Sequence, residues 1–283
     1  MSDRPHKTPL ETHKTSLETI GSATMRTTRY GSGGPPLVLV HGLACDGSDW
    51  AAQVAVFEPR TTVIVCELPG HGSSPAIPAD CTVGAYGAAL VRDLIEQAVG
   101  PAILVGHSMG CRIVVEAYRV EPTIASGLVL IDGSRIGAGD PEAAQRALAD
   151  ELAGDGYLRF IRSFFGSMLV ADPPTARMIL ERGLSLPAPV GRMLIANLAG
   201  WDAGEVEVAL DCIAVPLLAI QTTTMDTARQ RASLQPGESS PWLDLIRAHV
   251  PHAAITTLFG SGHFPQIERS QEITELIACF AQL

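Results

Sequence analysis

The stretch Ile103-Leu104-Val105-Gly106-His107-Ser108-Met109-Gly110-Cys111-Arg112-Ile113-Val114-Val115 constrains this chain more than any other. An apolar run ends in Gly106, a Gly-x-Ser-x-Gly pentapeptide follows, and a helical apolar pattern begins at Cys111. That order reads as a strand, a tight turn and a helix, with Ser108 at the apex. A turn that sharp strains the serine backbone, and glycines on both sides remove side chains that would clash with it. The hydroxyl then stands clear of the sheet, and the first N–H groups of the helix point at the same spot. Such geometry suits a nucleophile that attacks a carbonyl while the developing negative charge is held nearby.

The rest of the chain repeats the alternation of strand and helix. Leu37-Val38-Leu39-Val40, Thr61–Cys66 and Gly127–Ile131 are apolar runs of the kind buried on both faces of a parallel sheet. Asp49–Pro59 and Val83–Val99 carry helical patterns between them. Ser16–Ile20 and Thr24–Tyr30 read as two further strands, and residues 1–14 as a mobile tail. The alternation breaks at 133–208, where helical patterns at Tyr157–Phe165, Thr175–Gly183 and Val190–Leu198 replace buried strands. A block of that size with its own periodicity is an insertion. Strand alternation resumes at Ala214–Ile220, and helix, strand and helix follow at Trp242–Val250, Ala254–Phe259 and Gln271–Gln282. The expected architecture is a three-layer α/β sandwich with a mostly parallel sheet: a core of 15–132 and 209–283, and a helical lid of 133–208.

A serine needs a base within hydrogen-bond reach and a carboxylate to orient that base. Of eight histidines, His263 is the best base: it follows a strand, in the glycine-bearing loop Gly260-Ser261-Gly262-His263-Phe264, late in the chain. The acid has two main candidates. Asp226 follows the strand Leu217–Ile220, and Asp132 stands directly at the end of Gly127–Ile131. Asp226 is preferred, Asp132 is the alternative, and Glu238 is a third. Two main-chain donors for an oxyanion are expected from Met109, after the nucleophile, and Leu43, after His41-Gly42.

Net charge bounds the partners. The chain carries a formal charge of -10. This argues against nucleic acid or an anionic membrane surface, both of which need clustered Lys and Arg. No apolar run approaches the roughly 20 residues a membrane span needs. The six scattered cysteines, without Cys-x-x-Cys spacing, read as buried free thiols of a reducing, cytoplasmic compartment. No metal-ligand cluster or cofactor motif stands out. A small-molecule substrate is the expected partner, and a homodimer is compatible with the sequence. In the insertion, Phe160, Phe164, Phe165 and Met168 fall at helical spacing and, with His41, are candidate substrate contacts.

Four motifs together carry a family resemblance: Leu37-Val38-Leu39-Val40-His41-Gly42, Leu68-Pro69-Gly70-His71-Gly72-Ser73-Ser74, Gly106-His107-Ser108-Met109-Gly110, and Gly262-His263-Phe264-Pro265 leading to Glu268. In this order they resemble the α/β-hydrolase superfamily, in its lidded esterase, lactonase and carbon–carbon hydrolase branch. The resemblance implies Ser108, an acid and His263 as a triad, Leu43 and Met109 as oxyanion donors, and a helical lid over the pocket. It departs at Glu67, where such proteins usually show Asp, and at Thr222, which replaces a Gly two residues after the strand. The expected activity is hydrolysis of an ester or lactone of a small hydrophobic substrate through an acyl-enzyme on Ser108. An acyl transferase, a lyase, a carbon–carbon hydrolase and a ligand-binding protein with little turnover are the alternatives.

Overall fold

The computed structural model describes residues 23–168 and 171–283. The expected tail and the Ser16–Ile20 strand lie outside the described residues. Seven strands form one sheet in the order β1-β3-β2-β4-β5-β6-β9: β1 (Arg26–Tyr30), β2 (Leu37–Val40), β3 (Val63–Glu67), β4 (Ala102–His107), β5 (Ala125–Ile131), β6 (Leu217–Gln221) and β9 (Ala254–Thr257). Only the edge strand β1 is antiparallel to its neighbour. The continuous apolar runs follow from this topology, because helices cover both faces. Val38, Val40, Leu104 and Leu128 point into one core; Leu37, Leu39, Val105 and Val129 point into the other.

Three helices cross over between the first parallel strands: α1 (Ala51–Phe57), α2 (Val83–Glu96) and α3 (Met109–Val120). Thr82 caps α2 by accepting the Ala85 N–H, which fixes where the helix starts. Between β5 and β6 the described residues form five helices, not the three patterns read from the sequence: α4 (Pro141–Glu151), α5 (Gly156–Gly166), α6 (Pro173–Ser185), α7 (Ala188–Gly204) and α8 (Val206–Asp211). After β6 comes a feature the sequence did not announce, an antiparallel hairpin of β7 (Thr223–Met225) and β8 (Arg231–Ser233). Then follow α9 (Pro241–His249), the single turn α10 (Pro265–Glu268) and α11 (Ser270–Ala281).

Among the ion pairs that fasten the inserted helices to the sheet domain, two involve buried carboxylates. Arg112 of α3 donates through Nε and Nη2 to both carboxylate oxygens of Asp202 in α7, each at 2.6 Å, and both side chains are buried. Asp202 also accepts the Ile136 N–H, so one carboxylate holds the exit of β5 as well. Arg182 of α6 meets Asp49 at 2.6 Å and Asp46 at 3.1 Å. The cysteine reading holds for Cys45, Cys66, Cys81 and Cys111, which are buried free thiols. It fails for Cys279 and for Cys212, which are exposed; Cys279 lies on the outer face of α11, whose inner face is formed by Ile273 and Ile277.

Candidate active site

Ser108 ends the turn between β4 and α3 at φ 55°, ψ -115°, a conformation that costs a non-glycine residue energy. The packing around it explains the glycines. A Cβ on Gly106 would overlap the Gly110 carbonyl, and one on Gly110 would overlap the carbonyl of Val40. A Cβ on Gly42 would lie 3.1 Å from both His107 Nδ1 and Ser108 Cβ. The elbow is thus clamped between its own helix and the end of β2.

His263 lies in the loop after β9 and brings its ring to the serine, with Nε2 2.8 Å from Ser108 Oγ. Its other nitrogen, Nδ1, donates to Asp132 Oδ2 at 2.6 Å. Two main-chain contacts fix the ring's position. The His263 carbonyl accepts from His107 Nε2 at 2.7 Å, and the His263 N–H donates to the Met168 carbonyl at 3.0 Å. The second bond ties His263 to the end of the α5 segment.

Asp132 directly follows β5 and is fully buried. Oδ1 accepts the N–H groups of Thr222 and Thr223, both at 2.8 Å; Oδ2 accepts the Thr223 hydroxyl at 2.6 Å besides the imidazole. The Thr222 hydroxyl donates to the Gly262 carbonyl at 2.8 Å, tying this cradle to the base loop. Burial alone would raise the Asp132 carboxyl, but the hydrogen bond and charge of His263, together with Arg231, take it down to about 2. The preferred acid, Asp226, is not brought to His263. It sits on the exposed turn of the β7–β8 hairpin and accepts the Gln230 N–H at 2.8 Å. Strand β7 carries the chain away from the sheet edge before Asp226 is reached. Glu238 is likewise exposed and accepts the Gln235 N–H.

Arg231 carries no signal in the sequence that would mark it as part of this site. It projects from β8 with its side chain 1% exposed, donates to Thr223 Oγ1 at 2.9 Å and to Ser134 Oγ at 3.2 Å, and lies 3.6 Å from Asp132 Oδ2. Its guanidinium also covers the Phe164 ring at 5.9 Å. Burial pushes Arg231 down to about 10 despite the Asp132 charge. For His263, burial acts first and Arg231 adds to it; together they outweigh Asp132 and lower the imidazole to about 4.

The remaining candidates divide. Leu43 and Met109 are both buried. Met109 is the first residue of α3, so its N–H has no intrahelical acceptor. Leu43 lies in the turn closed by Cys45 N–H to Gly42 carbonyl, with Ala44 at φ 56°. His41 is not available to a substrate. Its Nδ1 donates to the Gly42 carbonyl and its Nε2 accepts the Leu68 N–H, so both nitrogens are spent bracing two loops. Phe160 and Phe164 stack on each other at 5.3 Å and face Arg229 and Arg231, while Phe165 packs against Gly183 of α6. Phe160 and Phe164 join their helix to the hairpin and Phe165 joins it to α6; Met168 is the insertion residue hydrogen-bonded to His263. Among the described residues no group of three or more His, Cys, Asp or Glu is gathered to hold a metal ion, and no helix is long and apolar enough to cross a membrane.

Comparison with known proteins sets the chain among hydrolases. It is 30% identical over 211 residues to Lipase LipV of Mycobacterium tuberculosis, covering 71% of this chain and 77% of the lipase. A shorter match, 31% identical over 118 residues, is to (E)-2-((N-methylformamido)methylene)succinate hydrolase of Acinetobacter baylyi; it spans 41% of this chain and 45% of that enzyme. In fold, a thermophilic esterase from Thermogutta terrifontis superposes with a TM-score of 0.75 at 24% identity, over 93% of this chain and 95% of that one. The profile of the Alpha/beta hydrolase family matches residues 37–276, from β2 through the serine elbow and the base loop into α11, and the chain belongs to that family.

Proposed function

We propose that this protein is a serine hydrolase that cleaves a carboxylic ester or lactone of a small hydrophobic substrate through an acyl-enzyme on Ser108. The observation that carries the reading is the continuous relay Ser108 Oγ to His263 Nε2 at 2.8 Å and His263 Nδ1 to Asp132 at 2.6 Å. Nδ1 donates to a carboxylate, so it holds the proton and Nε2 is the free base. Ser108 Oγ attacks the substrate carbonyl carbon and its proton passes to Nε2. The carbonyl electron pair moves onto oxygen, where the N–H groups of Leu43 and Met109 receive it. Collapse expels the alcohol, or the ring oxygen of a lactone, which takes the proton back from Nε2. Water then repeats the sequence and frees Ser108. Asp132 keeps the imidazole in its tautomer and stabilises the transient imidazolium. The inserted helices form the lid, with Met168 next to the base.

Labelling with a fluorophosphonate probe tests this reading, with the modified residue identified by mass spectrometry. The expected result is modification of Ser108, lost in His263→Ala, with turnover of short p-nitrophenyl esters or lactones that disappears in Ser108→Ala. Folded protein that leaves Ser108 unlabelled, or full ester turnover in Ser108→Ala, overturns it.

A further inference from the structure

The carboxylate behind the relay answers to two neighbours, an imidazole and a guanidinium. Asp132 carries a negative charge and serves the neutral His263, and a cation, Arg231, lies 3.6 Å from the same carboxylate oxygen. Arg231 has no other carboxylate within ion-pair distance among the described residues; its remaining donations go to the hydroxyls of Thr223 and Ser134. A buried arginine without a carboxylate is costly, so Asp132 is its counter-ion as well as the orienter of the base. Of the other charged and titratable groups around His263, Arg112, His107 and Cys111 are balanced or uncharged, and Glu268 is a half-buried carboxylate held by main-chain N–H groups. Arg112 of α3 is neutralised by both oxygens of Asp202. His107 is held neutral by burial first and by the neighbouring His263. Glu268 of α10 accepts the N–H groups of Gly262 and Phe264 on either side of His263. The Cys111 thiol of α3 is pushed up to about 12 by burial.

We infer that Arg231 is a positioning residue of this site: it locks the Asp132 carboxylate and opposes an imidazolium at His263 unless an oxyanion forms with it. This deepens the hydrolase reading and rests on it. With neutral His263, the pair Asp132–Arg231 sums to zero. Protonating His263 alone leaves one uncompensated positive charge in a dry site. Transfer of the Ser108 proton creates the imidazolium and the oxyanion together, and the sum returns to zero. The arrangement favours the charge-separated transition state over simple capture of a solvent proton, so the base stays competent in acidic solution. Geometry serves the same end. Nη1 of Arg231 donates to Thr223 Oγ1, which in turn donates to Asp132 Oδ2, so the arginine fixes the hydroxyl that aims the carboxylate.

The test is the acid limb of kcat/KM for a p-nitrophenyl ester, from initial rates after dilution of enzyme held at pH 7.5 into each assay buffer. Far-UV circular dichroism on the same timescale checks folding. In Arg231→Met, which keeps apolar length over Phe164, the limb is expected to move to higher pH by about one unit or more, because a like charge near the base is gone. Arg231→Lys, which keeps the charge, is expected to hold the wild-type limb. A limb in folded Arg231→Met that coincides with wild type overturns the inference, since a merely structural role would lower the rate without moving the limb. If Arg231→Met does not fold, Arg231→Gln takes its place under the same criterion. Failure of the hydrolase reading is separable. If wild-type Ser108 is not labelled by a fluorophosphonate, the His263 ring titration by NMR, in wild type against Arg231→Lys and the neutral variant, still decides whether Arg231 suppresses the imidazolium.

Discussion

Replacing Asp132 by Asn deletes one charge and keeps the shape, and the cradle around the side chain dictates the outcome. Oδ1 accepts two main-chain N–H groups at 2.8 Å, from Thr222 and Thr223. The amide oxygen must take that place, because the opposite orientation would set an NH2 group against two donors. The NH2 group then faces His263 Nδ1, now 2.6 Å from a donor instead of an acceptor. Nδ1 must accept, so the ring proton moves to Nε2 and points at Ser108 Oγ. An imidazole in that tautomer cannot take the serine proton, and a buried imidazolium would have lost its carboxylate. Together these effects are worth about 10⁴ in kcat, or about 5.5 kcal/mol of barrier. Stability falls too, by about 3 kcal/mol or more, since the buried Arg231 loses its counter-ion. The assay is therefore the initial rate on p-nitrophenyl butyrate at low temperature, with circular dichroism on the same samples. Asp226→Asn, on its exposed turn, should stay near the wild-type rate. Folded Asp132→Asn within tenfold of wild type, or an equal loss in Asp226→Asn, would refute the reasoning.

The other expectations are structural and thermodynamic. Asp202→Ala strands the buried Arg112 and loosens the inserted helices, so urea unfolding should show a loss of about 3–5 kcal/mol; a loss under 1 kcal/mol would remove that pair as the main fastening. Gly42→Ala sets a methyl 3.1 Å from Ser108 Cβ and His107 Nδ1, so kcat should fall more than the melting temperature; unchanged kcat would mean that the turn yields without cost. His41, His71 and His263 are held at about 3, about 4 and about 4, each chiefly by burial. Their folded values lie below the unfolded value of about 6.5, so the unfolded chain binds more protons and stability drops as pH falls from about 6.5 toward 4. Each fully linked histidine contributes about 1.4 kcal/mol per pH unit; denaturant midpoints that stay level between pH 7.5 and 5.5 would contradict it.

What is legible in the sequence is what local chemistry dictates. The elbow announces itself because only glycines fit at 106 and 110, and His263 because a glycine-bearing loop after a strand aims a side chain at the sheet edge. Position cannot decide between the acids, since Asp132 and Asp226 both follow strands. The difference lies in β7, a short strand in a Thr-rich run that carries no distinguishing apolar pattern. Arg231 is hidden for a related reason. A surface arginine and a buried one look alike until the hydroxyls that receive it are placed. Helix α4 escapes a reading by periodicity because Leu148 is its one buried apolar residue, although Asp140 before Pro141 is a capping signal that marks its start. The Phe160 and Phe164 stripe is visible, but the arginines that face it come from a hairpin far later in the chain.

The ladder between β4 and β5 ends with His107 opposite Ile131. Ser108 and Asp132 are each the next residue, so they leave adjacent strands side by side, about 4.8 Å apart across the sheet. Ser108 and Asp132 are thereby spaced by main-chain hydrogen bonds and not by loop length. The segment after β6 does not supply the carboxylate that meets His263; it offers that carboxylate two N–H groups, a hydroxyl and a cation. Its turn, residues 226–230, lies outside the strand-end spacing of Ser108 and Asp132 and is tied instead to the inserted helices, through Arg229 to Glu151 and Gln230 to Ser163.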